Sequence, residues 1–323
     1  MSFSFSSVGR FNSGLYIALV AVAALAAYGY TLRKDGIFSC PGTGYGPDTY
    51  LAYCEADQYG DYDHGAFWFG ALEPEVRRFL HDTQVLFLGN SRMQFGFSSD
   101  TTRSWFADAG APYYLMGFAY WENYQFEWPL LKRVKPNPMV YVVNLDLFFG
   151  TVETGPATLV MSDPEASSRY RRKQLWQIPH RLICSLGARI CGDQETFFRS
   201  TSTGEYTRSG GTRVHDPVSF DLQADAGLAA DYVKRGREFF RSLPVDRKCI
   251  LLTIVPSKDT HVGTAQAIAD ALGFTLIAPQ IADLTMFDHA HLDRPSAERW
   301  SRAFFEAAGP QIRGCLNHGT GSG

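Results

Sequence analysis

Residues 84–92, Gln84-Val85-Leu86-Phe87-Leu88-Gly89-Asn90-Ser91-Arg92, decide the fold. The unbroken apolar run reads as a strand buried on both faces, the kind found in parallel sheets. Gly-Asn-Ser supplies turn chemistry, so the strand is expected to break into a loop and helix with Ser91 at its carboxyl edge. That edge is where open α/β sheets build their ligand sites. Working outward, apolar runs at 112–116, 138–143, 248–254 and 274–278 read as four more strands. Helical spacing is found at 72–81, from a Ser98 or Ser99 cap to 109, and at 121–134 despite Pro129. It recurs at 225–243, at 261–272 closed by Gly273, and at 295–308 opened by Pro295. The alternation argues for an α/β fold with a five-stranded parallel sheet covered on both faces.

Two intervals break this rhythm. Residues 34–83 are rich in Gly, Tyr and Asp with little periodicity, and read as a loop-rich segment leading into a domain at 84–312. Residues 151–220 hold Thr and Ser clusters, Gly210-Gly211 and the basic run Arg169-Tyr170-Arg171-Arg172-Lys173. They read as an insertion, either a lid beside the site or a solvated excursion. Residues 313–323 read as a flexible tail.

The apolar, uncharged stretch at 14–30 is near the lower limit for crossing a bilayer. Arg10 precedes it and Arg33 and Lys34 follow, so flanking charge decides little about orientation. Ala24-Leu25-Ala26 resembles a signal-peptidase site, which leaves a cleaved export signal as the competing reading. Because the stretch continues to Tyr30, residues 1–33 are read as a stub and membrane anchor. The catalytic domain is then expected outside the cytoplasmic membrane, in a periplasmic or extracytoplasmic space. The six cysteines all follow that stretch, lack zinc-like spacing, and allow 15 disulfide connectivities. Neighbours in sequence pair most simply: Cys40 with Cys54, Cys184 with Cys191, and Cys249 with Cys315. An oxidising compartment fits that usage. A formal net charge of −3 gives no case for nucleic acid. No pattern calls for a cofactor.

Near the far end stands Asp288-His289-Ala290-His291-Leu292. On a helical turn Asp288 and His291 would share a face, letting the carboxylate orient the ring. With Ser91 they supply a nucleophile, a base and an orienter for acyl transfer. Gly-x-Ser after the first strand and Asp-x-x-His near the carboxyl end resemble the SGNH (GDSL-like) hydrolase superfamily, over roughly residues 84–308. The resemblance implies a flavodoxin-like three-layer sandwich, with the apolar stretch read above as one transmembrane helix ahead of it. It also implies an oxyanion hole made of the Ser91 N–H, Gly117 and Asn144. The chain departs from the pattern in having Asn90 for aspartate, and no glycine before Asn144-Leu145-Asp146. Those departures, and Gly89-Asn90-Ser91-Arg92, are similar to the envelope branch that O-acetylates polysaccharides. The branch implies an acyl donor, a polysaccharide acceptor and a polytopic membrane O-acyltransferase partner.

Rival readings share these residues. The same triad serves an esterase or deacetylase, and the weakened blocks also fit a non-catalytic scaffold. His289, His291 and Asp293 spell a zinc-like His-x-His-x-Asp that lacks its next histidine, since Arg294 follows. Tyr113, Tyr114, Tyr120, Trp121, Tyr124 and Trp128 would line a sugar cleft or pack in the core. The basic run would meet an acidic polysaccharide, phospholipid headgroups or only water.

Overall fold

The computed structural model describes residues 13–97, 100–186 and 190–319. Arg10 and the expected Ser98 or Ser99 cap lie outside the described residues. The chain begins with α1 (Ser13–Lys34), β1 (Thr49–Cys54), β2 (Gly60–Asp61), α2 (Asp63–Phe69) and α3 (Pro74–Asp82). Then come β3 (Val85–Asn90), α4 (Ser91–Phe97), α5 (Asp100–Ala109), β4 (Tyr113–Phe118), α6 (Tyr124–Val134) and β5 (Val140–Asn144). An excursion carries α7 (Gly155–Ser162), α8 (Ala166–Cys184), β6 (Thr196–Ser200), β7 (Tyr206–Ser209), β8 (Asp216–Pro217) and β9 (Phe220–Asp221). The chain closes with α9 (Ala226–Ser242), β10 (Ile250–Thr253), β11 (Thr260–His261), α10 (Val262–Leu272), β12 (Thr275–Ile277), β13 (Thr285–Met286) and α11 (Arg294–Gly319).

Five strands pair in the order β12-β10-β5-β3-β4, all parallel. Counted along the chain this is 2-1-3-4-5, a doubly wound order whose switch point falls between β3 and β5. Successive side chains on a strand point to opposite faces, and the sheet accordingly separates two cores. Leu86, Leu88, Tyr141 and Val143 pack on one side with Phe126 of α6 and Phe239 of α9. Val85, Phe87, Val140 and Val142 pack on the other with Phe97, Phe106 and Trp300 of α4, α5 and α11. α1 stands apart from both and is long and apolar enough to cross a membrane.

The two irregular intervals share a second sheet, which corrects the loop-rich reading of the first and the solvated alternative for the second. β1, from the segment thought loop-rich, pairs antiparallel with β6 of the excursion, giving a second sheet ordered β2-β1-β6-β7. The excursion is therefore largely packed rather than solvated, with Tyr170, Phe198 and Arg199 fully buried. Side chains replace missing ladder partners here: Gln177 of α8 accepts from Leu51 N at 2.9 Å and donates to Leu51 O at 3.1 Å. The expected tail is corrected over residues 313–319, while 320–323 lie outside the described residues. α11 runs on to Gly319, and its Cys315 is bonded to Cys249, joining β10's approach to the last helix. The other disulfides are Cys40–Cys54 and Cys184–Cys191, the pairing of nearest neighbours.

The second sheet rests on a buried charge pair. The Arg199 guanidinium meets Asp63 at 2.7 Å, and both are withdrawn from water. Tyr50 and Tyr206 donate to the two Asp63 oxygens at 2.6 and 2.7 Å. Arg199 also donates to Leu115 O at 2.8 Å and to Gly117 O, so it ties the second sheet to β4. Removing one member of such a pair strands the other charge. Arg199→Met should therefore lower stability by about 3–5 kcal/mol, read from urea unfolding. A loss under 1 kcal/mol, the scale of an exposed pair, would refute this role.

Candidate active site

Ser91 occupies the first position of α4, and β3 runs straight into it with no loop between. This corrects the expected turn, because Gly89 and Asn90 are strand residues. Two local devices allow the switch. Gly89 has φ +152°, and a Cβ there would sit 2.9 Å from Asn144 Cβ. Asn90 Oδ1 accepts from Arg92 N at 3.0 Å and so caps the helix. Behind the strand, Glu127 of α6 accepts from Gly89 N at 3.0 Å. Burial pushes the Glu127 carboxyl well above its usual range.

His291 reaches Ser91 from 200 positions away, with Nε2 2.7 Å from Ser91 Oγ. Its Nδ1 lies 2.6 Å from Asp288 Oδ2. With Nδ1–H donating a hydrogen bond to the Asp288 carboxylate, Nε2 presents a lone pair to the serine hydroxyl. Asp288 and His291 do not stand on a helical turn. They flank a tight bend closed by Phe287 N donating to His291 O at 3.0 Å, with His289 at φ 69° at its apex. Asp288 Oδ1 holds that bend by accepting from Ala290 N and His291 N at 3.2 and 2.9 Å. Burial raises the Asp288 carboxyl, but its bonds with the His291 ring and these N–H groups outweigh burial and hold it below the usual range. The imidazole is packed against Phe95 and Phe287, with ring centroids 4.8 and 5.7 Å away. The segment around β8 braces the bend from outside: Val214 N donates to Phe287 O at 2.8 Å, and His289 meets Asp216.

A cleft of about 280 Å³ opens over Ser91 and His291. Asn90, Arg92, Tyr53, Tyr120, Trp121, Glu195 and Phe197 complete most of its wall. The excursion thus contributes a fixed wall through Glu195 and Phe197. Of the aromatic residues singled out in sequence, Tyr120 and Trp121 alone line the cleft. Tyr113 stacks on Phe106, Tyr114 is buried, and Tyr124 and Trp128 pack against Phe149 and Phe239.

The expected oxyanion donors are not all brought to the cleft. Ser91 is there. Gly117 sits inside β4 opposite Gly89, and its carbonyl is taken by Gln94 and Arg199. Its lack of a side chain has a packing cause, since a Cβ would lie 2.5 Å from Asn90 O. Asn144 ends β5 fully buried, with Oδ1 accepting from Val255 N at 3.1 Å and Nδ2 without a partner. Neither lines the cleft. The zinc-like reading also fails on placement. His291 serves Ser91, His289 turns out to Asp216, and Asp293 accepts from Thr285 Oγ1 and from Ser296 N at 2.9 Å.

Arg92 is the functional side chain that sequence reasoning left without a role. Its NH1 is 2.9 Å from both Asp146 oxygens, and its guanidinium lies 4.8 Å from the Trp121 ring centroid. Asn90 Nδ2 donates to the same carboxylate at 3.1 Å and to Asp146 O at 3.1 Å. This explains Asn90: aspartate there would face another carboxylate. Asn90→Asp should destabilise the protein by about 1–3 kcal/mol through repulsion and a lost bond. A melting temperature unchanged from the parent would refute it.

The wall loop carrying Tyr120 (φ 64°) and Trp121 (φ 62°) is in the left-handed region twice, without glycine. Glu122 anchors it. Its carboxylate meets fully buried His64 Nε2 at 2.9 Å, accepts from Asn123 N at 2.9 Å, and takes the Thr154 hydroxyl. His64 Nδ1 meets Asp61 at 2.8 Å. Burial lowers the His64 pKa, but Asp61 and Glu122 more than offset it and raise it to about 10. A pKa raised on folding contributes stability in full below the unfolded value near 6.5, and loses it as pH climbs through the folded value. The melting-temperature gap between the parent and His64→Gln should therefore be widest below pH about 6.5 and shrink towards pH about 10. A gap that widens with pH would contradict the charged pair.

Comparison with protein-family models, with characterised proteins and with solved structures finds no match to this chain.

Proposed function

We propose that the chain is a membrane-anchored serine acyltransferase of the SGNH type, O-acetylating an envelope or exported polysaccharide. One observation carries the reading: Ser91 Oγ, His291 and Asp288 stand in hydrogen-bonded line on the wall of an open cleft. The flavodoxin-like strand order and the location of the serine at the switch point support the family. Its envelope branch is favoured by α1 and by three disulfides, which suit a domain held outside the cytoplasmic membrane. Tyr120 and Trp121 offer flat faces on which a sugar ring can stack.

In this mechanism Ser91 Oγ attacks the donor's acyl carbon while His291 takes the hydroxyl proton. Asp288 stabilises the imidazolium that results. The Ser91 N–H, at the first residue of α4, faces the developing oxyanion. Such a donor is worth about 2.7–4 kcal/mol. His291 returns the proton to the departing group, leaving an acyl ester on Ser91. It then deprotonates a sugar hydroxyl, which attacks that ester and frees the serine. A single membrane span does not carry acyl groups across a bilayer, so a polytopic O-acyltransferase partner would deliver them.

An esterase or deacetylase would use the same steps with water as the acceptor. The solvent-exposed Trp121 on the cleft wall favours this second reading, since no described residue closes the cleft to water there. A fluorophosphonate probe should label the parent and spare Ser91→Ala. Acetyl-ester turnover should fall by more than about 10,000-fold in His291→Ala. Labelling that persists in Ser91→Ala, or no labelling of the parent, defeats both catalytic readings and leaves a scaffold. Given an acetyl donor and an oligosaccharide, the transferase forms acetylated sugar, whereas the esterase releases acetate alone.

A further inference from the structure

We infer that α8 is a second membrane contact, lying against the lipid surface beside the point where α1 leaves it. The inference rests on the membrane-span part of the function proposed above and is independent of Ser91 chemistry. α8 is amphipathic in two directions. Its inward face, Tyr170, Gln177, His180 and Cys184, is buried against the second sheet and the segment following α1. Its outward face repeats at helical spacing with aliphatic side chains: Leu175 is 58% exposed, Ile178 68%, Leu182 70% and, just past the helix end, Leu186 76%. No described residue covers them. A convex aliphatic stripe on a soluble domain marks an interaction surface.

Continuity with α1 selects the partner. The turn Ile37–Ser39 follows α1 directly, and its Phe38 ring lies 5.9 Å from the His180 ring. His180 Nε2 donates to Cys40 O at 2.9 Å, and Gly42 packs against Cys184. The carboxyl half of α8 is therefore fixed beside the exit of the spanning helix. The Cys184–Cys191 disulfide holds the following loop, with Leu186 and half-exposed Ile190, at the same place. Charge agrees with lipid. Arg171 and Arg172 are exposed on α8 near the amino end of the aliphatic stripe. Basic residues with an aliphatic stripe suit anionic headgroups over acyl chains. The consequence is positional: Arg172, Lys173 and Trp176 of α8 line a groove that shares Tyr120 with the catalytic cleft. Docking α8 would hold that groove, and the cleft beyond it, close to the bilayer.

The test uses the full chain reconstituted into phosphatidylcholine–phosphatidylglycerol vesicles carrying nitroxide-labelled acyl chains. Leu182→Cys, Ile178→Cys and, as an exposed site outside the stripe, Leu222→Cys are each tagged with an environment-sensitive fluorophore. Far-UV circular dichroism melting checks that each variant folds. Lipid docking gives quenching and a blue-shifted emission at 182 and 178, and neither at 222. Equal signals at all three sites overturn it. So does quenching at 182 and 178 that arises only when membrane proteins are added to the vesicles, which would assign the stripe to a protein partner. Extraction by alkaline carbonate reports on α1 separately: a fully extractable chain ends the membrane-span reading, whatever the fluorophores show.

Discussion

Everything at the site depends on a strand that becomes a helix without a loop. Between Leu88 and Arg92 the backbone changes from an extended ladder to α4, and Ser91 is delivered at the seam. The change is possible because Gly89 takes a backbone angle closed to other residues, while Glu127 occupies its N–H from behind. Asn90 then caps the helix with one side-chain atom and grips Asp146 with the other. A parallel sheet crowds polar backbone ends at one edge. In this molecule Gly89 N is paired with α6, and the Asn90 amide and Arg92 are paired with Asp146 on β5's exit loop. The serine is consequently fixed before any ligand arrives, which is what preorganised chemistry requires.

The base is held by a different logic. Its bend has no helix to stiffen it, so rigidity comes from short-range bonding to Asp288, two phenylalanine rings and a brace from the segment around β8. Ser91 and His291 are thus held by different segments that meet where Phe95 of α4 packs on the imidazole. Their register is set by the packing of α11 against α4 across one of the two cores.

What was legible in the sequence follows from which physics writes in hydrophobicity. Val85 to Leu88, Val140 to Val143 and Ile250 to Leu252 are apolar because both sheet faces are covered, so their strands could be read directly. The Ser91, His291 and Asp288 side chains could be picked out because few chemistries need those three. The second sheet was not legible. It is joined to α2 and α8 through buried polar pairs such as Arg199 with Asp63 and Tyr170 with Asp61, whose members lie far apart along the chain, and no periodicity records that. Gly117 misled for a related reason. A glycine demanded by close packing and one demanded by an oxyanion look the same in one dimension. Asn144 is placed at the correct strand end, yet its amide is turned into the core.

The β1–β6 pairing bears on how the chain is born. Thr49 ends up beside Ser200, and Cys54 beside Thr196. At about 5–20 residues per second, β1 waits on the order of 10–30 s for its longest neighbour. Throughout that wait the nascent strands β3, β4 and β5 are able to assemble, while β1 lacks its β6 neighbour. The Cys40–Cys54 bond closes within the early segment, so it is available to hold β1 in place before β6 has been synthesised. A covalent clasp at that position ties the end of β1 to the chain just after α1 independently of anything made later.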